Sequence, residues 1–288
     1  MSGGPLLLCV GAAKAGTSWL HRVLSDHPGC ALRSIKELHF LDALDRGEVD
    51  RQLSLLAQRR AAWVADMEGA GPHRLAVRAR QVKDCDDLAA VLRSRDEGAY
   101  LSYLTAGAGG RLAADLTPAY ALLSEERLGR IARMAPDVRI LYLVRDPVER
   151  LWSHVRMIAQ ARAEKDGNHE GRAAHVLARV FSGKETEIAA RGDYAAAIGK
   201  LARAVDPRRL MVAVTEEMLT APGLARIMAF LGLGMPPADF SRRIHEGAAG
   251  DLAPEARAEA RAWLSAQYEF VADWLGRRPA GWAYGQGA

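Results

Sequence analysis

The sequence has few cysteines, few aromatic residues and no long apolar run. Its 288 residues include 3 cysteines, and 6% of them are aromatic. An odd number of cysteines without a shared metal-ligand spacing predicts reduced thiols, no disulfide and no metal site. The longest apolar run near the start, residues 6–10, is far shorter than the roughly 20 residues of a membrane helix, and no basic segment precedes it as in a secretory signal. We therefore expect a cytoplasmic protein without a membrane span.

The excess of positive charge is small. Lys and Arg number 39 against 35 Asp and Glu, which gives a net charge of +4. With 49% hydrophobic and 26% charged residues, the composition excludes a mainly disordered or collagen-like chain. Basic residues alternate with acidic ones, as in residues 93–97 and 125–130, which indicates a solvated mixed surface and not a nucleic-acid-binding one. A cleft lined by some of these basic residues would still attract a small anion.

Short apolar runs alternate with helical patterns along the chain. Buried strands are predicted at 5–10, 138–144 and 210–214, helices at 17–25, 125–134, from 147 onward, at about 222–231 and over 251–275, and an exposed loop at 163–172. Strands that alternate with helices predict a parallel sheet. The expected fold class is α/β, a P-loop-like three-layer fold with a central parallel sheet flanked by helices, in one domain over 1–288 with helical insertions.

Residues 11–18, Gly-Ala-Ala-Lys-Ala-Gly-Thr-Ser, lie where the first strand turns into a helix. Successive backbone N–H groups at such a turn, together with the helix N-terminus, form an anion site. The Walker A loop of nucleoside triphosphatases needs a Lys directly before Ser or Thr, but Gly16 occupies that place here and Lys14 lies two positions earlier. A glycine-rich turn with an exposed Lys is the alternative.

Residues 145–153, Arg-Asp-Pro-Val-Glu-Arg-Leu-Trp-Ser, follow another predicted central strand. Arg145 closes that strand at the carboxyl edge of the sheet, where α/β proteins bind ligands, and Ser153 follows about two helical turns later. A guanidinium and a hydroxyl presented in this way can hold one phosphate. Alternatively, Asp146 and Pro147 only start a helix and Arg145 is a surface charge.

Together these two segments resemble the nucleotide-binding motifs of the sulfotransferases that use 3′-phosphoadenosine 5′-phosphosulfate (PAPS) and release 3′-phosphoadenosine 5′-phosphate (PAP). The resemblance implies that the first loop holds the 5′-phosphosulfate and that Arg145 and Ser153 hold the 3′-phosphate, with no metal required. The donor-binding residues implied are Lys14, Ala15, Gly16, Thr17, Ser18, Arg145 and Ser153.

Three further segments are similar to the heparan-sulfate and bacterial branch of that family. They are Lys-Glu-Leu-His-Phe at 36–40, Asp-Leu-Thr-Pro-Ala-Tyr at 115–120, and Gly-Asp-Tyr at 192–194 with the strand and acidic residues of 210–217. The likeness runs from about residue 5 to 231 and more weakly to Trp282. Residues 245–250 are the nearest counterpart of a basic, glycine-rich late loop, but they lack its Lys and Arg cluster.

The resemblance also implies catalytic roles. Lys14 would neutralise charge on the leaving phosphate, and Glu37 would accept the proton of the acceptor hydroxyl. His39 is the second candidate for the base, or a residue that orients Glu37 or packs beside Phe40. Asp115 and Tyr120 belong either to a substrate cleft or to a structural turn. Tyr194 either reaches the nucleotide or caps the core.

The resemblance implies an acceptor that is a small molecule or a carbohydrate. The stretches 46–95 and 161–191 would supply its contacts, and Trp63 is their only tryptophan, which does not favour a polymer-length sugar groove. A small hydroxylated or amine acceptor is preferred. The alternative activity is that of a Walker-type P-loop kinase or nucleoside triphosphatase, disfavoured by the displaced Lys14. A catalytically inactive nucleotide-binding module is disfavoured because both Lys14 and Glu37 are present.

Overall fold

The centre of the molecule is a parallel β-sheet. The computed structural model describes residues 4–167, 171–236, 240 and 251–282. Within them the sheet has four strands in the order β2-β1-β3-β4, and every neighbouring pair is parallel. The strands are β1 (Leu6–Gly11), β2 (Ala113–Asp115), β3 (Val138–Val144) and β4 (Leu210–Val214). The α/β class and the three predicted strands are confirmed, whereas the short strand β2 was not predicted.

The central strands are apolar because helices cover both faces of the sheet. Every residue of β1 is buried, and so is every residue of β3 except Arg139. Strands that are buried on both faces have continuous apolar sequences, because neither face meets water. The edge strand β4 is only half-buried over its first three residues.

The helices lie before, between and after these strands. In the described part of the chain they are α1 (Thr17–Ser25), α2 (Phe40–Arg46), α3 (Val49–Ala65), α4 (Pro72–Ser94), α5 (Glu97–Thr105), α6 (Glu125–Ile131), α7 (Pro147–Asp166), α8 (Arg172–Phe181), α9 (Thr186–Ala190), α10 (Tyr194–Ala204), α11 (Thr215–Met218), α12 (Ala221–Phe230), α13 (Pro254–Trp263) and α14 (Ser265–Leu275). Two 3₁₀ turns, Pro118–Leu122 and Pro207–Arg209, precede α6 and β4. No helix among these is both long and apolar enough to cross a bilayer.

Three of the predicted boundaries are wrong. The predicted loop at 163–172 is helical up to residue 166, since Ala163 is buried against the core and α7 ends only where Gly167 adopts a left-handed conformation, φ 71°. Residues 168–170 lie outside the described residues. Helix α6 ends at Ile131, and the helical stretch predicted over 251–275 begins at Pro254 and divides at Leu264 into α13 and α14.

The strand order creates a crevice at the carboxyl edge of the sheet. The chain leaves β1 towards β2 on one side and returns to β3 on the other side of β1. At such a switch point the loops that follow the two central strands diverge, and ligands of α/β proteins bind between them. The segments that follow β1 and β3 are those that begin at Gly11 and Arg145.

Candidate active site

The loop after β1 is held in place by a hydroxyl from the segment after β4. Thr215 Oγ1 lies 2.7 Å from the carbonyl oxygen of Ala15 and 2.9 Å from that of Val144, so this one side chain joins the loop to the end of β3. Gly16 precedes α1 with φ 85°, and α1 begins at Thr17. The first N–H groups of a helix have no acceptor within the helix, so those of Thr17 and Ser18 are available to an anion.

Substituting Gly16 by alanine is expected to destabilise the protein by about 1–3 kcal/mol. A Cβ at this position would lie 3.0 Å from both Met218 Cε and Thr215 Cγ2, and the left-handed backbone disfavours any side chain. Gly47→Ala is the matched control, because Gly47 also has a positive φ, 67°, but nothing lies within 4 Å of its added Cβ. Urea denaturation of both variants measures the difference. Equal losses in the two variants would contradict crowding at the loop.

The three candidate catalytic residues share a strained backbone. Four non-glycine residues of the described chain have a positive φ, and three of them are Lys14 (68°), Glu37 (58°) and His39 (51°). This conformation costs an L-residue roughly 1–2 kcal/mol, and it persists where the surrounding structure imposes it, often at functional sites. The strain therefore marks these positions independently of any sequence motif.

Lys14 and Arg145 meet across the crevice. Arg145 Nη1 donates to the carbonyl oxygen of Lys14 at 3.4 Å, which joins the segments after β1 and β3. Burial and the neighbouring Arg145 guanidinium lower the pKa of Lys14, although the Glu37 carboxylate acts in the opposite direction. Two cations at one edge of a sheet, with a carboxylate beyond them, form a site that favours an anion.

Glu37 lies within a chain of charged side chains. Lys36 Nζ donates to Glu37 Oε1, His39 Nε2 lies 3.7 Å from Glu37 Oε2, and His39 Nδ1 lies 2.8 Å from Asp42 Oδ2. The imidazole thus stands between two carboxylates. Asp42 is buried at the start of α2, whereas Glu37 exposes 39% of its side chain and remains open to a substrate.

This arrangement fixes the protonation of both candidate bases. Burial alone would raise the pKa of Glu37, but the nearby His39 ring and the charge and hydrogen bond of Lys36 outweigh it and lower that pKa to about 2. Burial alone would lower the pKa of His39, but the hydrogen bond to Asp42 and the nearby Glu37 carboxylate raise it to about 9. At neutral pH Glu37 is therefore ionised, and His39 is a protonated imidazolium.

Asp115 and Tyr120 support the segment 36–40 through hydrogen bonds in the core. Both are buried, and Asp115 accepts hydrogen bonds from the hydroxyls of Thr117 at 2.6 Å, Tyr100 at 2.6 Å and Tyr120 at 2.8 Å. Thr117 Oγ1 in turn accepts the N–H of Leu38 at 2.9 Å. The structural alternative is therefore correct for these two residues, because their polar atoms are used inside the core and do not line a cleft.

Tyr194 fixes the main chain at Arg145. Its buried hydroxyl donates to the carbonyl oxygen of Arg145 at 2.7 Å and accepts the N–H of the same residue at 3.2 Å. The side chain of Arg145 stays partly exposed, with Glu149 Oε2 3.9 Å from its Nη2. Ser153 lies half-buried two turns along α7, and no hydrogen bond joins it to Lys14 or Arg145 in the described part of the chain.

A buried arginine adds to the positive charge at this end of α7. Arg150 is 1% exposed, donates to the carbonyl oxygen of Ile188 at 3.3 Å and lies 3.4 Å from Nδ1 of His154. Burial and the charge of Arg150 lower the pKa of His154 to about 3, so this imidazole is neutral. Neither residue was predicted as part of the site.

Three residues that shape the site were not assigned a role from the sequence, although two of them, Thr215 and Glu216, lie in the noted segment 210–217. Asp42 follows His39 by three residues, a spacing that could have signalled a contact at the start of a helix. Thr215 and Glu216 come directly after β4, the edge at which ligands bind, and Glu216 Oε1 accepts the N–H of Asp146 at 3.1 Å. Within the described residues no group of three or more His, Cys, Asp or Glu side chains is placed to hold a metal ion. The predicted late-loop counterpart at 245–250 lies outside the described residues.

The fold defines the chain as an α/β protein of the P-loop-like type, with Lys14 and Arg145 in contact at the carboxyl edge of its sheet. The family model described as "Sulfotransferase family" matches residues 5–237, and the chain belongs to that family. Family membership supports sulfotransfer as its general activity.

One solved structure supports the fold described here. A sulfotransferase from Alicyclobacillus acidocaldarius is 22% identical, with 96% of this chain and 98% of that chain covered and a TM-score of 0.61. The sulfotransferase domain of the Synechococcus PCC 7002 olefin synthase is 18% identical over 92% of this chain and 95% of that chain, with a TM-score of 0.47. No curated protein matches the sequence.

Proposed function

We propose that the protein transfers the sulfuryl group of PAPS to a hydroxyl or amine of an acceptor by in-line displacement. In this reaction the acceptor atom forms a bond to sulfur as the bond between sulfur and the 5′-phosphate oxygen breaks. The acceptor proton passes to a base, and PAP leaves with the electron pair of the broken bond. The chain's own residues have three tasks: to hold the nucleotide, to offset charge on the leaving oxygen and to accept the proton.

The observation that carries the proposal is the position of Lys14. Lys14 lies half-buried in the loop before α1 on a backbone with φ 68°, and its carbonyl oxygen accepts from the Arg145 guanidinium, while the charges of Arg145 and Glu37 act on its ammonium in opposite directions. A cation held there can stabilise negative charge that develops on the bridging oxygen, while the N–H groups of residues 16–18 would hold the 5′-phosphate. Arg145, with Ser153 further along α7, would take the 3′-phosphate.

Glu37 is the proposed base. It is ionised at neutral pH, partly exposed and oriented by both Lys36 and His39. His39 is protonated at neutral pH and is therefore better suited to orient Glu37 than to accept a proton. The 36–40 segment, with its support from Asp115, also favours the proposed bacterial and heparan-sulfate-type branch. The proposed acceptor is a small hydroxylated or amine compound, and the three free, buried cysteines support a cytoplasmic location.

The Walker-type alternative needs a metal-binding aspartate at the end of a strand beside β1. Asp115 ends β2 in that position, but its carboxylate already accepts three hydroxyl hydrogen bonds in the core. Burial raises the pKa of Asp115, which further disfavours a charged ligand for a cation. The displaced Lys14 and this occupied carboxylate both favour the sulfotransferase reading over a kinase or triphosphatase.

Thermal unfolding with PAP, and in parallel with ATP and Mg²⁺, tests the donor. A ligand that binds only the folded state at about 100 times its Kd adds about 2.7 kcal/mol to stability, a visible rise in Tm. We expect PAP to raise Tm without metal. In Arg145→Gln most of that rise is lost, because the proposed partner of the 3′-phosphate is removed.

Arg208→Gln is the matched control, since Arg208 lies just before β4, at the opposite edge of the sheet, with 89% of its side chain exposed. This variant should retain the full response to PAP. A rise in Tm with ATP and Mg²⁺ alone would overturn the proposal and assign the loop to a kinase or triphosphatase.

A further inference from the structure

The C-terminal helices contact the main chain around Arg145. The family model ends at residue 237, whereas α13, α14 and the segment up to residue 282 follow it. Within this C-terminal segment, Tyr268 and Trp282 are 4% and 5% exposed and pack edge to face, with ring centroids 5.8 Å apart. The Tyr268 hydroxyl contacts Asp146, which follows Arg145, and the Trp282 indole N–H contacts Glu216, which accepts the main-chain N–H of Asp146.

Tyr268 contributes to the cap of α7. The carboxylate of Asp146 accepts the N–H groups of Val148 and Glu149 at 3.0 Å each, and it also lies 2.9 Å from the Tyr268 hydroxyl through either oxygen. Asp146 directly follows Arg145. The hydroxyl of Tyr268 therefore restrains the first residue after the guanidinium that the proposed function assigns to the 3′-phosphate.

Trp282 acts on the same residue through Glu216. Glu216 Oε1 accepts the main-chain N–H of Asp146 at 3.1 Å, and Glu216 Oε2 accepts the indole N–H of Trp282 at 2.9 Å. The two carboxylate oxygens thus join the peptide between Arg145 and Asp146 to the end of the described chain. Since a carboxylate held by two donors has one orientation, this contact fixes that peptide as well.

Gln267 contacts Arg145 indirectly, through Tyr194. Its Oε1 accepts the N–H groups of Tyr194 at 2.8 Å and Ala195 at 3.2 Å, at the start of α10. Tyr194 is the residue whose hydroxyl bonds both main-chain groups of Arg145. Arg257 of α13 also forms an ion pair with Glu149 of α7, about one turn after Arg145 in the chain, with Arg257 Nη1 2.6 Å from Glu149 Oε1.

We propose that Tyr268, Gln267 and Trp282 are positioning residues of the donor site, through which the C-terminal helices fix Arg145 for the 3′-phosphate of the nucleotide. The proposal rests on the proposed function, because it assumes that Arg145 binds the 3′-phosphate. It extends the site to a segment that the family model does not cover. None of the three residues touches the nucleotide; each acts through Asp146, Glu216 or Tyr194.

The affinities for PAP and adenosine 5′-monophosphate test this role, because the two ligands differ only by the 3′-phosphate. Isothermal titration calorimetry measures both Kd values for wild type, Tyr268→Phe, Trp282→Phe and the control Trp274→Phe. Trp274 lies on α14, is 41% exposed and stacks on Phe270. We expect the first two variants to weaken PAP binding about three- to tenfold, to leave the monophosphate unchanged, and Trp274→Phe to match wild type.

An equal loss for both ligands, or no loss, would mean that the contacts only stabilise the fold and would overturn the inference. Hydrogen exchange of the ligand-free protein gives a second, independent readout. Peptides that cover 144–150 should exchange faster in Tyr268→Phe and Trp282→Phe than in wild type and in Trp274→Phe. If wild type binds PAP no more tightly than the monophosphate, the proposed donor fails; unchanged exchange at 144–150 would instead refute the positioning contacts themselves.

Discussion

Replacing Lys14 by methionine is expected to lower kcat/KM by about 10²- to 10³-fold while the protein stays folded. Methionine keeps the length of the side chain and removes only the ammonium. The lost interaction matters most in the transition state, when negative charge develops on the oxygen that leaves sulfur. Because Lys14 is half-buried, water screens its ammonium less than it would a surface charge, so each interaction with the donor is stronger.

The backbone of Lys14 provides a control for a merely structural role. Glycine adopts φ 68° without the cost that a side chain has there. Lys14→Gly should therefore leave the free energy of unfolding unchanged or raise it by up to about 1 kcal/mol, even as activity falls as far as in Lys14→Met. Opposite changes in stability and activity are the pattern expected when strain is retained for function.

Steady-state kinetics with PAPS and urea denaturation measure the two quantities. If Lys14→Met turned over at the wild-type rate, the ammonium would have no part in the chemistry. If Lys14→Gly were strongly destabilised, Lys14 would instead support the loop through contacts of its side chain.

The parts of the fold with strong sequence patterns could be predicted. Strands β1, β3 and β4 are strongly apolar, with Arg139 as the one charged residue of β3, and that composition is visible in the sequence. In β1 and β3 it reflects the helices that cover both faces of the sheet. Strand β2 has only the residues Ala-Ala-Asp, so its place is set by pairing with β1 and not by its own sequence. The end of α7 was missed because the polar residues 164–166 continue the helix beyond Ala163, the last buried residue of its apolar face.

The candidate site could be predicted only in part from the sequence, because part of it depends on tertiary contacts. Lys14, Glu37 and Arg145 carry recognisable motifs, and the strand order brings the loops that carry Lys14 and Arg145 together. No propensity predicts a left-handed backbone at Glu37 or His39, since only the surrounding contacts impose it. The supporting hydrogen bonds join residues far apart in the chain, as from Leu38 to Thr117, and these depend on tertiary packing alone.

Substituting Glu37 by glutamine is expected to lower kcat/KM by about 10²- to 10⁴-fold with little change in the Kd of PAP. Glutamine has nearly the same shape but cannot accept the acceptor's proton. A second effect is independent of activity: the pKa of His39 should fall from about 9, because one of its two carboxylate partners becomes neutral. Titration of the His39 ring by NMR measures this pKa. A variant that keeps the wild-type kcat/KM would exclude Glu37 as the base.

Asp42→Asn separates Glu37 from His39 as the base. Removing the Asp42 carboxylate lowers the pKa of His39 and leaves Glu37 ionised. If His39 accepts the proton, wild-type kcat/KM increases with pH until about 9, the pKa of His39. In Asp42→Asn more of the His39 ring is then unprotonated at neutral pH, so kcat/KM rises. If Glu37 accepts the proton, wild-type kcat/KM is flat between the pKa of Glu37, about 2, and the pKa of His39, about 9. In that case Asp42→Asn lowers kcat/KM at neutral pH, because the imidazolium that orients Glu37 is partly lost. The two assignments therefore predict opposite signs for one substitution, and we expect the decrease.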